Sequence, residues 1–375
     1  MVERIAYGLG DYSANLVYSA ISAFLLVYYT NVLGVPALVG STVMAISKIF
    51  DGISDLVTGR IVDRTKSRFG KARPWILRMC IPLAVCNVLL YSVPAGLAGS
   101  AQIAYIFLSY NLVSTVFYTA VNVPYSTLQG LMTTNQYERG LLGNFRMLLA
   151  TAGTMTVNTV VIKLCTFFGG DPYTQKGWTL SVAALMVVFV ILNLITFFCC
   201  KERVTDTVEV GEGEKGPSVI ACFKSLITNK YWVIMVVFLF CLYFMMSTFY
   251  GGAAYYAQYV LGDLDLYITI SNPLSTAQLV TMFLTPFLMK KIGKRYTALA
   301  GMVMATAAFV LTALAGTNVT MVVLCNILKG AAFGCGAAAM FGLLQDAITY
   351  GSWLTGVQAM GMGNAASSFC MKVGS

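Results

Sequence analysis

Long apolar stretches follow one another along nearly the whole of this 375-residue chain, more than the core of one soluble domain can bury. They lie at about 15–35, 38–62, 75–97, 101–129, 141–168, 178–200, 231–260, 266–290, 296–316, 318–347 and 354–375. A membrane-spanning helix needs roughly 20 apolar residues. Only 10% of the residues are charged and 58% are hydrophobic, which is typical of a membrane protein. Because the runs are continuous and not alternating, we expect an all-α membrane protein.

Basic residues occur in alternate loops of the predicted bundle. Groups of Lys and Arg lie in loops 63–74, 130–146, 201–230 and 290–295, whereas loops 94–101 and 316–319 carry no charge. Cytoplasmic loops are enriched in Lys and Arg, so this alternation predicts a multi-pass protein of the cell inner (plasma) membrane with a cytoplasmic N-terminus. The net charge of +9 is explained by these loops, and no nucleic acid partner is expected.

The longest polar insertion divides the predicted helices into six and five. It covers 201–230 and combines five acidic residues with Gly and Pro, a composition that indicates a flexible linker. We therefore predict an N-terminal six-helix half at 1–200, a cytoplasmic linker at 201–230 and a C-terminal half at 231–375 with helices 7–11. Transporters built from two parallel six-helix halves have this organisation. On that interpretation the C-terminus is truncated, and a protein of eleven helices is the alternative.

Predicted helix 2 carries charged side chains where a membrane-spanning helix would have none. Lys48, Asp51 and Asp55 are three and four residues apart and therefore share one helix face. Ionisable groups at membrane depth are costly and mark an ion or substrate pathway. Two carboxylates one turn apart suit a small cation such as Na⁺, or a pair of which one member holds a proton. An ion pair from Lys48 to Asp51 is the structural alternative, but it leaves Asp55 unexplained.

Uncharged polar residues share one face of predicted helix 4, at Thr119, Asn122 and Ser126. Their oxygens are suited to complete a cation site or to bind sugar hydroxyls, with ordinary hydrogen bonding between helices as the alternative. Pro124 in the same helix frees a backbone carbonyl. Helix 1 has a second polar stripe that includes Asn15.

The composition argues against catalysis and against a resident cofactor. The chain has no His, which removes the commonest base at neutral pH and the commonest metal ligand. Its ten Cys are scattered and form no C-x-x-C pair, so neither a disulfide framework nor a zinc site is predicted. With no metal motif and no nucleotide-binding loop, the sequence predicts a protein that is not an enzyme.

Several segments spread along the chain carry a more specific signal. They are YGLGDYSANLVYSAISAFLLVYYTNVLG, KIFDGISDLVTGRIVDRTKSRFGKARPWIL, YTAVNVPYSTL, YERGLLGNFRM, AQYVLGDLDL, QDAITYGSWLTG and MKVGS. Together they resemble the glycoside–pentoside–hexuronide:cation symporter family, to which melibiose permease belongs. The resemblance implies the major-facilitator fold of two six-helix halves, here with about eleven transmembrane helices because the C-terminus is truncated.

By position, the resemblance also implies roles for individual residues. Asp51 and Asp55 match the cation-site carboxylates of the family, and Thr119 and Asn122 match the helix 4 residues that complete this site. Asn15 and Asn122 stand where melibiose permease has acids, so the sugar and the choice between Na⁺ and H⁺ stay open. The residues expected to bind substrate are Asn15, Tyr118, Asn122, Ser126, Arg146 and Lys372.

We therefore expect a symporter that imports a glycoside, pentoside or hexuronide with Na⁺ or H⁺, by alternating access of its two halves. The expected gating residues on the cytoplasmic side are Asp63, Arg64 and Arg68. The expected partners are a small sugar and membrane lipid, and a monomer is expected to suffice. A lipid-type carrier and a non-transporting membrane sensor are the alternatives. The polar stripes argue against the carrier, and a sensor would bind ligand without accumulating it.

Overall fold

The computed structural model describes residues 1–94, 96–97, 99–171, 173–204, 219–256, 260–261, 266–357 and 359–374, so residues 205–218 of the predicted linker lie outside the described residues. Within those ranges the regular structure is helical. The α-helices are α1 Val2–Val27, α2 Ala37–Arg64, α3 Arg73–Leu90, α4 Ser100–Asn111, α5 Thr119–Met132, α6 Gln136–Gly169, α7 Gln175–Cys199, α8 Val219–Thr228, α9 Lys230–Tyr255, α10 Leu266–Ala315, α11 Val319–Thr355 and α12 Met360–Gly374. Two π-helical segments, Tyr28–Val32 and Leu112–Tyr118, extend α1 and join α4 to α5.

The described part of the chain contains nine helices that are long and apolar enough to cross a membrane. One of them, α10, covers two of the predicted apolar runs and is broken at Gly293, where φ is 82° and ψ is 159°. Only Gly adopts such a positive φ without strain, and this Gly lies in the basic turn between the two runs. The prediction of an all-helical membrane protein is confirmed.

The chain forms two compact units, and the first comprises Met1–Met132, Leu149–Phe223 and Val357–Phe369. Buried aromatic side chains fill its core where α1, α3 and α7 meet. The Tyr91 and Trp178 rings stack with their centroids 6.0 Å apart. The Tyr91 hydroxyl donates a hydrogen bond to a carbonyl of α1 at 2.8 Å. Since a buried hydroxyl is costly unless it is hydrogen-bonded, this bond satisfies the group and ties α1 to the end of α3.

The second unit comprises Thr133–Leu148, Lys224–Gly356 and Cys370–Ser375. Its centre is the close packing of α10 against α11, which small residues allow. A Cβ atom added to Gly334 of α11 would lie 2.8 Å from the Gln278 carbonyl oxygen of α10, closer than real Cβ atoms come. Small residues at a helix interface let two backbones approach in this way. The Gly- and Ala-rich sequence of α11 therefore sets the spacing of these helices.

Candidate functional site

The two carboxylates of α2 are buried because the opposite face of the helix is apolar. Asp51 is 5% exposed and Asp55 is 1% exposed. Since an α-helix has 3.6 residues per turn, the exposed apolar side chains of α2 form a stripe along one face, which is suited to face lipid. The two acids lie on the opposite face, which packs into the first unit. The exposed side chains of that stripe are Ile46, Phe50, Ile53, Val57 and Ile61. Lys48 is exposed, and within the described residues no ion pair joins it to Asp51.

Three hydroxyl groups from the neighbouring helical segment converge on these carboxylates. Ser114 Oγ donates to Asp51 Oδ2 at 2.9 Å, and Thr115 Oγ1 donates to Asp51 Oδ1 at 2.5 Å. Thr119 Oγ1 donates to Asp55 Oδ1 at 3.0 Å. Hydrogen bonds to an ionised acceptor are stronger than bonds between neutral groups. The hydroxyls therefore stabilise negative charge at a depth where water does not.

The π-helical segment Leu112–Tyr118 allows consecutive residues to reach one carboxylate. In an α-helix, neighbouring side chains point about 100° apart, whereas here both Ser114 and Thr115 contact Asp51. The Thr119 hydroxyl lies 3.4 Å from the Ser114 carbonyl, five residues earlier. Such π-helical turns occur frequently at functional sites. The sequence prediction included Thr119 but missed Ser114 and Thr115. Two adjacent hydroxyl residues about one turn before Thr119 were the signal that could have indicated them.

Asn122, the remaining residue of the predicted cation site, is half-buried on α5. Among the described residues no hydrogen bond links it to Asp51 or Asp55. The structure thus brings Asp51, Asp55 and Thr119 together, and Asn122 follows Thr119 by three residues on α5. The assembled groups are carboxylate and hydroxyl oxygens, which are the ligands that hard cations prefer. They are suited to one small monovalent cation, or to a proton shared by two neighbouring acids.

The predicted sugar-binding residues of the first unit lie on α1, at the end of the π-helical segment and on α5. Asn15 Nδ2 donates to the Asp11 carbonyl at 2.9 Å, and Asn15 Oδ1 accepts from Thr154 Oγ1 at 3.4 Å. The Tyr118 ring lies 6.2 Å from the Tyr18 ring, centroid to centroid. Ser126 is half-buried on α5. These contacts hold the Asn15 amide in one orientation.

The two predicted basic residues for substrate lie in the second unit. Arg146 of α6 is 5% exposed, and its guanidinium carbon lies 4.1 Å from the ring centroid of Phe341 in α11. Stacking on an aromatic face holds the planar guanidinium in a fixed plane. Lys372 is half-buried near the end of α12.

Of the predicted gating residues, Asp63 is bound to the first turn of α12. Its two carboxylate oxygens accept the backbone N–H groups of Gly361 at 2.7 Å and Met362 at 3.0 Å. Arg64 and Arg68 are exposed, and the Arg68 guanidinium lies over the adjacent Phe69 ring at 4.6 Å. Asp63 therefore caps a helix, since a carboxylate satisfies N–H groups that have no partner inside that helix.

The loop between α2 and α3 is held by a residue that follows α7. The Glu202 carboxylate accepts the backbone N–H groups of Lys71 at 2.8 Å, Ala72 at 3.0 Å and Arg73 at 2.9 Å. Burial lowers the pKa of the Lys71 ammonium, and the Asp63 and Glu202 carboxylates oppose that shift. Because Glu202 lies in the first residues of the predicted linker, part of that linker is structured and packs on the first unit.

A buried ionic cluster in the second unit was missed by the sequence prediction. Arg139 Nη1 lies 3.4 Å from Asp346 Oδ1, and Lys294 Nζ binds Asp346 Oδ2. Arg139 is 2% exposed and Lys294 is 9% exposed. Arg139 Nη1 also donates to Thr349 Oγ1 at 2.9 Å. The sequence showed the two bases only as loop charges, and their common acid lies far along the chain.

Comparison with known proteins identifies the family. A family model described as MFS/sugar transport protein matches residues 6–375. The isoprimeverose transporter of Lactiplantibacillus pentosus is 31% identical over 99% of this chain and 77% of its own length. The inner membrane symporter YicJ of Escherichia coli is 28% identical over 99% of this chain and 79% of its own length.

A solved structure shows the same fold. The proton:xylose symporter XylE, bound to 6-bromo-6-deoxy-D-glucose, matches 100% of this chain and 85% of its own chain, with a TM-score of 0.66 and 11% identity. At that identity the match shows the fold alone. Together these findings confirm the family resemblance, the multi-pass membrane character and the prediction of a transporter rather than an enzyme. This chain belongs to the MFS/sugar transport protein family of the major facilitator superfamily.

Proposed function

We propose that this chain imports a glycoside, pentoside or hexuronide together with a cation, by alternating access, with its N-terminus in the cytoplasm. The observation that carries the proposal is the pair of buried carboxylates in α2, each of which accepts hydroxyl hydrogen bonds. Buried ionisable groups in a membrane-spanning helix are costly and mark ion pathways. The names of the relatives, a sugar transporter and a symporter, support the same function.

The negative charge of the two carboxylates couples cation binding to sugar binding. A cation that binds at Asp51 and Asp55 neutralises part of their negative charge, and this favours the sugar-bound form of the protein. Coupling between two binding events is reciprocal, so the sugar must tighten cation binding by the same factor. We assign the sugar contacts to Asn15, Tyr118, Asn122, Ser126, Arg146 and Lys372, and the cytoplasmic gate to Asp63, Arg64 and Arg68.

Uptake of a panel of labelled glycosides, pentosides and hexuronides by cells that express the full-length gene tests this function. The assay is run with and without Na⁺, and with and without a protonophore. Accumulation that requires Na⁺ would indicate Na⁺ as the coupling ion, and accumulation that only the protonophore abolishes would indicate H⁺. No accumulation of any sugar would refute the proposal and favour a lipid-type carrier or a sensor.

The Asn122→Asp variant tests whether α5 contributes to ion choice. A third acid beside Asp51 and Asp55 adds an oxygen ligand, and hard metal cations need several oxygen ligands whereas a proton does not. We expect uptake by this variant to gain Na⁺ dependence. Unchanged cation preference would exclude Asn122 from the cation site. It would not argue against Asp51 and Asp55 as cation ligands.

A further inference from the structure

A lysine ammonium group lies buried within the second unit. Lys329 is 1% exposed and is well inside α11, which runs from Val319 to Thr355. At 1.5 Å per residue its Cα lies about 15 Å from the nearer end of the helix. That distance exceeds the length of a lysine side chain, so the ammonium cannot reach the membrane surface by snorkelling.

Two aromatic rings and one amide surround this ammonium. Lys329 Nζ lies 4.8 Å from the ring centroid of Phe249 in α9 and 4.6 Å from that of Phe309 in α10. It donates a hydrogen bond to Asn326 Oδ1 at 3.1 Å. The Asn326 amide group in turn donates to the Ile270 carbonyl at 2.8 Å, which fixes its oxygen toward the lysine. Aromatic faces and an amide oxygen stabilise a cation without cancelling its charge.

No acidic side chain balances that charge in the surroundings that the structure describes. Helices α9 and α10 contain neither Asp nor Glu, and Asp346, the acid of α11, lies about 25 Å farther along the helix axis. Asp263 and Asp265 lie outside the described residues. The titratable groups that face this region are Cys325 of α11 and Tyr256 just after α9, both uncharged when protonated. Phe309 and Ile270 are the contacts from α10.

Two opposing effects act on the protonation state of the Lys329 amine. Burial without a counterion disfavours the charged ammonium, whereas the two rings favour it. The neutral amine keeps an N–H that can donate to Asn326. These two contributions oppose each other, and among the residues that the structure describes no ion pair locks Lys329 in either protonation state. We propose that Lys329 is a proton-binding site of the second unit and that it gains and loses a proton during the transport cycle.

This inference rests on the proposed function. Two assays on purified protein in liposomes distinguish a failure of the Lys329 proposal from a failure of the proposed function. Counterflow of labelled sugar needs only binding and reorientation. Accumulation driven by a pH gradient in the absence of Na⁺ also needs a coupled proton, and one proton supports about tenfold accumulation per pH unit. We expect Lys329→Met, which removes the charge and keeps the length, to retain counterflow and to lose this accumulation.

Two further variants test whether the loss depends on titration and on the position of the lysine. Lys329→Arg keeps a charge that does not titrate, so it should lose accumulation in the same way. Lys291→Met makes the same chemical change at an exposed lysine of α10 and should keep both activities. Equal loss of counterflow and accumulation in Lys329→Met would show a structural role and overturn the proposal. So would wild-type accumulation that only Na⁺ drives, which would leave the proposed function intact.

A wild-type protein that transports no sugar would refute the proposed function, and thermal unfolding in detergent then decides the question of Lys329. Between about pH 6 and 9 an unfolded lysine keeps its proton. If the native state releases this proton, the unfolded state binds more protons, and the stability of the wild type relative to Lys329→Met rises with pH. A stability difference that does not change over this range would overturn the proposal.

Discussion

The Asp63 carboxylate of α2 accepts the backbone N–H of Gly361 at 2.7 Å, at the start of α12. Gly59, one turn earlier in α2, makes this approach possible, because a Cβ atom there would lie 2.7 Å from the Gly361 carbonyl oxygen. A carboxylate at a helix N-terminus gains from unpartnered N–H groups and from the positive end of the helix dipole. The pair therefore holds the first turn of α12 in the first unit.

We predict that Asp63→Asn destabilises this attachment by about 1–2 kcal/mol. The amide keeps one acceptor oxygen but presents an NH₂ group to the second backbone N–H, that of Met362. Thermal unfolding in detergent measures the loss, and hydrogen exchange at Gly361 and Met362 localises it. Asp171→Asn is the matched control, since Asp171 accepts a backbone N–H in an exposed turn. Unchanged exchange at both amides would show that the cap is not needed.

Asp55→Asn should abolish uphill sugar accumulation and leave the protein folded. The amide can still accept the Thr119 hydroxyl hydrogen bond, so the packing persists, but the charge that draws a cation is gone. Accumulation and melting temperature are measured side by side, with Asp171→Asn as a control for the same change at an exposed site. Normal uphill uptake by the variant would remove Asp55 from the coupling site.

The Thr115 hydroxyl should contribute to cation binding through Asp51. Thr115→Val keeps the side-chain shape and removes the 2.5 Å hydrogen bond to Asp51 Oδ1. A hydrogen bond to a charged group contributes about 1.5–3 kcal/mol, so we expect the cation concentration for half-maximal uptake to change by about tenfold or more. Thr127→Val is the control, because the buried Thr127 hydroxyl donates to the Val123 carbonyl of its own helix. Equal effects of the two variants would contradict the prediction.

Sequence reasoning predicted the helical fold and the half of the proposed cation site that lies on α2. Continuous apolar runs require helices in a membrane, and two acids four residues apart must share a face of α2. The other half depends on the π-helical turn, which places Ser114 and Thr115 against one carboxylate. A period of 3.6 residues separates those two side chains, so their convergence on one carboxylate appears only in the packing of this segment against α2.

Lys329 shows a second limit of sequence reasoning. Its charge inside an apolar run is visible in the sequence, but the groups that surround it come from α9 and α10. Phe249 and Phe309 are ordinary apolar residues of membrane helices until the fold brings them to the same ammonium. The sequence can therefore indicate that a buried charge needs an explanation, while its partners appear only in the structure.

The Arg139–Asp346–Lys294 cluster gives a prediction about stability in the second unit. One carboxylate serves two bases there, both of which are nearly inaccessible to water. Removing one member of a buried ion pair leaves an uncompensated charge and costs about 3–5 kcal/mol. Asp346→Asn leaves two such charges, so we expect a large fall in the free energy of unfolding of the second unit.

A double-mutant cycle with Lys294→Met distinguishes charge imbalance from lost packing. In the double variant Asp346→Asn/Lys294→Met, one of the two unpaired cations is gone, so the two losses should not add. We expect the double variant to be more stable than Asp346→Asn alone, with a coupling energy of about 1–3 kcal/mol measured by thermal unfolding. Losses that add would mean that Lys294 and Asp346 act independently. Lys291→Met in place of Lys294→Met is the control, because Lys291 is exposed on α10 and should give no coupling.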